Sequence, residues 1–125
     1  MTRALLAALA ILTAAAPAAA AAGDVTGIWM RDDGSAKIRF APCGGEAVCG
    51  FLAWKKNPGG PAKVGQELFF GMKPNGPNSW AGSAFNPEDG KHYSGKMTLS
   101  GDRLVTAGCV LGGLICKSFD WTRAR

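Results

Sequence analysis

The chain has 125 residues, 47% hydrophobic and 18% charged, with 14 Lys and Arg against 9 Asp and Glu, one His and four Cys. That length holds one domain of ordinary size. The positive excess is scattered without a Lys/Arg run, so the electrostatic footprint of a nucleic-acid binder is missing.

The chain opens with Arg3, an apolar stretch from Ala4 to Leu12 and a small-residue run ending Ala20-Ala21-Ala22, the three-part pattern of a cleaved secretory signal. Thr13 and Pro17 interrupt it, and a membrane anchor needs about 20 strongly apolar residues. Residues 1–22 are therefore expected to be removed, leaving residues 23–125 as a single mature domain without a membrane span, periplasmic or secreted. No cysteine stands at the junction to take a lipid.

After Gly23 the pattern is short alternating runs broken by turn signals, with no amphipathic stretch long enough for a helix. A first strand is predicted over Gly27–Arg31, ended by Asp32-Asp33-Gly34. A second, Ala36–Ala41, sets Ala36, Ile38 and Phe40 against Lys37 and Arg39. A third covers Ala47–Trp54. The loop from Lys55 to Gln66 follows, rich in Gly, Pro and Lys, the longest irregular piece and the element expected to move. Leu68–Met72, Ser79–Phe85, Lys91–Leu99, Arg103–Val110 and Leu114–Arg123 bring the count to eight. Their turns hold Pro74-Asn75-Gly76-Pro77, Asn86-Pro87-Glu88-Asp89-Gly90, Ser100-Gly101-Asp102 and Gly112-Gly113.

Cys43, Cys49, Cys109 and Cys116 make an even count in a short exported chain, which favours two disulfides. A zinc site is the rival, but the spacings are not C-x-x-C and His92 is the only imidazole. Three pairings are possible on paper. A two-residue turn at Gly112-Gly113 sets Leu111 opposite Leu114 and Cys109 opposite Cys116, about 4.5 to 5.5 Å apart at Cα, within reach of a bridge. A three-residue loop Gly45-Glu46-Ala47 would oppose Cys43 to Cys49 in the same way. Eight antiparallel strands with short connections then close into an up-and-down barrel, because closure removes exposed edges. Such a barrel is filled by side chains or holds one small ligand. The four Trp, six Phe and one Tyr suffice to fill it.

Gly27-Ile28-Trp29, Cys43 with Val48-Cys49-Gly50, Asp89-Gly90-Lys91-x-Tyr93-x-Gly95, Gly108-Cys109 and Cys116-Lys117-Ser118-x-x-Trp121-Thr122-Arg123 together resemble the exported bacterial proteins of the domain of unknown function 2147 family. The resemblance spans nearly all of the mature chain, although Lys56 to Gln66 lacks the family's Asp-x-x-Asn-Pro pattern. It implies a lipocalin-like barrel and no established activity. Gly27, Trp29 and Arg123 are also similar to the lipocalin arrangement in which a basic residue of the last strand covers a Gly-x-Trp of the first. The physical reason would be a guanidinium over an indole face.

No nucleophile with a base, paired carboxylates or metal cluster has a recognisable spacing, so an enzyme is not expected, nor a cofactor or metal. His92 shares its predicted face with Ser94, Lys96 and Thr98, the polar one; Glu88 and Asp89 read as turn formers. The last strand puts Ile115, Lys117, Phe119, Trp121 and Arg123 on one face. If that face is interior, Lys117 or Arg123 could meet the carboxylate of an apolar ligand. Trp29, Trp54, Trp80, Phe85, Tyr93 and Trp121 are then the candidate walls. If it is not, both cations stand at the barrel rims with their heads in water. Two functions follow: an envelope protein holding a small apolar or amphiphilic ligand, or a filled barrel whose basic outer surface meets an anionic envelope component.

Overall fold

In the computed structural model, which describes residues 23–124, eight antiparallel strands run in chain order around one closed barrel. The expected leader, residues 1–22, lies outside the described residues. The strands are β1 Gly27–Arg31, β2 Ala36–Gly44, β3 Ala47–Lys55, β4 Glu67–Gly76, β5 Ser79–Asn86, β6 Lys91–Ser100, β7 Arg103–Val110 and β8 Ile115–Arg123. Each pairs with its sequence neighbour. Closure comes from Trp29, Met30 and Arg31 of β1 opposite Arg123, Thr122 and Trp121 of β8. No helix among the described residues is long and apolar enough to cross a membrane.

The eight expected strands all form, and the differences lie in turns and registers. β4 continues through Pro74 to Gly76, where a turn was expected, and the reversal falls on Pro77-Asn78. Between β7 and β8 the connection is four residues: Leu111–Gly113 form one 3₁₀ turn and the pairing resumes only at Val110 opposite Ile115. Leu111 and Leu114 are therefore loop residues, not a facing pair. The lengthening is symmetric, so Cys109 still stands opposite Cys116, and the two are bridged with Cα atoms 4.1 Å apart. The other bridge joins Cys43 to Cys49, as expected, by a different route. Cys49 faces Ala41 and Gly44 faces Ala47, so Cys43 is the extra residue of a bulge rather than the cross-strand partner.

The two ends of the barrel differ. At one end, which carries the β2–β3, β4–β5 and β6–β7 turns, the interior is packed solid by Trp29, Ile38, Phe40, Met72, Trp80, Met97, Leu99 and Leu104, all buried. Gly82 and Gly95 face each other across β5 and β6. A Cβ on Gly82 would stand 2.9 Å from the Met72 sulfur and closer still to the Phe70 and Gly71 carbonyls, so only glycine lets β4 approach there. The segment before β1 crosses this end as a plug: Val25 is fully buried and its carbonyl accepts the Trp29 indole N–H at 2.9 Å. The Arg123 guanidinium lies 4.3 Å from the centre of a Trp29 ring and donates to the Asp24 and Thr26 carbonyls at 2.6 and 3.0 Å.

Candidate functional site

At the other end, which carries the β1–β2, β3–β4, β5–β6 and β7–β8 connections, the strands enclose a cavity of about 780 Å³. Its depth is apolar, walled by Leu52 of β3, Leu68 and Phe69 of β4, Ala84 of β5 and Trp121 of β8. Tyr93, Thr106 and Gly108 continue the wall on β6 and β7, and Phe119 with Lys117 closes it on β8. At Gly108 the space a side chain would fill is left open beside Tyr93, whose Cβ would be 3.4 Å from an added Cβ.

The deepest polar feature is Thr106, fully buried, whose Oγ1 accepts the Trp121 indole N–H at 2.9 Å. Its own hydroxyl proton is given to no acceptor among the hydrogen bonds of the described residues, which leaves a donor on the cavity wall. Around the mouth stand Arg31, Lys55 and Lys117 together with Glu88 and Asp89. Arg31 lies 3.9 Å over the Phe119 ring and pairs with Asp33 at 3.2 Å. The Lys55 ammonium donates to the carbonyls of Gly59 and Ala62, both at 2.6 Å, and so ties the long β3–β4 loop to the rim. The Tyr93 hydroxyl donates to the Asp89 carboxylate; that bond holds Asp89 below the ordinary aspartate range and pushes Tyr93 above its own. Lys117, 5.5 Å from the Phe119 ring, has no ion pair among the described residues.

The expected wall residues divide. Tyr93, Lys117 and Trp121 line the cavity. Trp80 and Trp29 are buried in the packed end instead, below the cavity. Trp54 is not a wall residue: the register slips between Ile38 opposite Leu52 and Lys37 opposite Trp54, so Ala53 is a bulge and the indole turns outward, 40% exposed, beneath the Lys37 ammonium. The same bulge brings Lys55 inward. Phe85 adjoins the rim, but its ring packs 4.8 Å from His92, its cross-strand partner on the outer face, and the Phe70 ring lies 5.9 Å from the same imidazole. Arg123 is not at the mouth; it seals the opposite end.

The description "Uncharacterized protein conserved in bacteria (DUF2147)" matches the chain over residues 27–123, from the first residue of β1 to the last of β8. The chain belongs to the DUF2147 family. No curated protein and no solved structure matches it. The span of the match coincides with the barrel, so every DUF2147 strand named above, and every residue of the cavity wall, falls within the family's own extent. Arg31, Leu52, Lys55, Leu68, Phe69 and Thr106 belong to this DUF2147 cavity although no motif marks them. Arg31 could have been found from its parity with Trp29 on β1; Lys55 could not, since the Ala53 bulge has no signature in the residues around it.

Proposed function

We propose that this chain is an exported protein of the bacterial envelope that binds one small amphiphilic molecule in the open half of its barrel, and that it acts by binding rather than by catalysis. The observation that carries this reading is the cavity of about 780 Å³, within the range of roughly 300–1,000 Å³ used by small-molecule sites. Its chemistry is graded. An apolar tail would pack on Leu52, Leu68, Phe69 and Trp121, replacing water at about 25 cal/mol per Å² buried. A polar head would meet the Thr106 hydroxyl or, nearer the rim, the unpaired Lys117.

The test is native mass spectrometry of the protein isolated gently from its own host, compared with the denatured mass of the same sample. Added mass that vanishes on denaturation is expected. A bare chain, together with no saturable binding of the fluorescent amphiphile anilinonaphthalene sulfonate, would remove the reading.

A further inference from the structure

The open end carries a second feature. Where β7 meets β8, Val110, Leu111, Leu114 and Ile115 form an apolar tip that faces water, with Leu114 85%, Leu111 68% and Ile115 58% exposed. Leu111 holds φ 54°, a left-handed conformation that a bulky residue seldom takes. The Cys109–Cys116 bridge clamps the hairpin directly beneath the tip. We propose that this tip docks the barrel, mouth first, onto an anionic lipid bilayer.

Charge selects that occupant. The Lys96 ammonium reaches the turn, 3.3 Å from where a Cβ on Gly113 would stand, and Lys117 follows Leu114 by three residues with no ion pair among the described residues. Two cations thus flank four apolar side chains, the composition that partitions at an anionic membrane surface. The neighbouring β5–β6 turn carries Glu88 and Asp89, and Asp89 keeps its negative charge while accepting from Tyr93, so the attraction is confined to the β7–β8 tip and its two lysines. A stable protein partner would need roughly 20–30 residues a side, far more than this tip offers. Lipid headgroups, by contrast, accept a small convex wedge. Lys117 also lines the cavity, whereas Lys96 and the apolar tip stand outside its wall, so the Lys96 substitution tests the charge independently of what the cavity holds.

The experiment compares the wild-type chain, isolated from its host with the bridge intact, with the Leu111→Asn/Leu114→Ser variant. Asn tolerates the left-handed conformation, so the variant should keep the wild-type melting temperature; Leu114→Ser alone, at the most exposed position, carries the test otherwise. Flotation uses vesicles of phosphatidylcholine and of phosphatidylcholine mixed equally with phosphatidylglycerol. The wild type should bind the mixed vesicles, and the double variant should bind them about tenfold more weakly. Lys96→Gln should cost about fivefold. Equal binding by wild type and double variant, or equal binding to neutral and anionic vesicles, overturns the proposal. So does a wild-type dimer that the variant disperses in light scattering, since the occupant would then be a second copy of the chain.

Discussion

Replacing Arg123 with Ala should be the most damaging substitution of any partly exposed side chain in this barrel. The guanidinium stacks 4.3 Å over Trp29, an interaction worth about 0.5–2 kcal/mol depending on desolvation. It also makes two charge-assisted hydrogen bonds to the Asp24 and Thr26 carbonyls, of a kind that contributes about 1.5–3 kcal/mol each when buried. With the side chain 30% exposed, those bonds are discounted by roughly half, and the 3.7 Å approach to Asp102 adds little. The expected loss is about 2–4 kcal/mol. For a domain near 100 residues that is a drop in melting temperature of roughly 10–20 °C. Arg123→Lys should recover less than half of it, because an ammonium cannot span both carbonyls while lying flat on the indole. Urea unfolding followed by Trp fluorescence measures both. A loss below about 0.5 kcal/mol for Arg123→Ala, or full recovery by Lys, would show that the base of the barrel is held by the packed core alone.

Thr106→Val should cost about 1–3 kcal/mol by stranding the buried Trp121 indole N–H, while Thr106→Ser should stay close to wild type in the same urea experiment. Opening the Cys109–Cys116 bridge by a double Ser substitution should lower stability by about 2 kcal/mol, the closure entropy of so short a loop, readable as a lower urea midpoint. On the acid side, Asp32 is held below its ordinary value by hydrogen bonds from Arg103 and Thr122, Asp33 by Ser35 and Asp24 by Thr26. Because the folded values are the lower ones, that stability is fully present above the unfolded aspartate value of about 3.9 and is lost as pH falls through the folded values. The melting temperature should fall below about pH 4, and more gently in Asp32→Asn; an Asn variant as acid-sensitive as wild type would sink the assignment.

Strand number, order and the Cys109–Cys116 pairing were legible because they depend on period-two alternation and on turns, and both are local. The pairing survived an error in the turn: adding one residue on each side of Gly112-Gly113 leaves the cross-strand partners unchanged. The bulges were not legible. One at Ala53 reverses the facing of Trp54 and Lys55, and one at Cys43 replaces a facing cysteine pair by a staggered one. Phe85 adjoins the cavity rim while its ring packs against His92 on the outer face. It lies five residues from Trp80 on an unbulged pairing of β5 with β6, so the two rings must face opposite sides, and Trp80 is the buried one. Whether the barrel is hollow or filled depends on how interior volumes sum along its axis. Residue types alone do not state that, and the answer is both, one at each end.

That division explains where the local restraints are needed. At the packed end, burial of Trp29, Phe40, Met72 and Trp80 supplies the cohesion, and the Cys43–Cys49 bridge, with Cys49 itself buried, reinforces turns that already rest on a core. The cavity end forgoes part of that packing, since Leu52, Phe69, Thr106 and Trp121, though buried, border an open volume on their inner side. Its connections are instead held by polar and covalent ties: Lys55 to the Gly59 and Ala62 carbonyls, Tyr93 to Asp89, the Asn86 turn closing on Gly90 at 2.8 Å, and Cys109 to Cys116. None of these ties occupies the space inside the barrel. A rim held by its own ties can loosen without the core, so release of a molecule of the kind proposed above should require no unfolding of the packed end. In hydrogen exchange, emptying the cavity should raise rates in residues 55–66 and 86–91 while leaving the β6–β7 amides around Met97 and Leu104 at their global-unfolding limit. Equal changes at both ends would mean that the barrel opens as one unit.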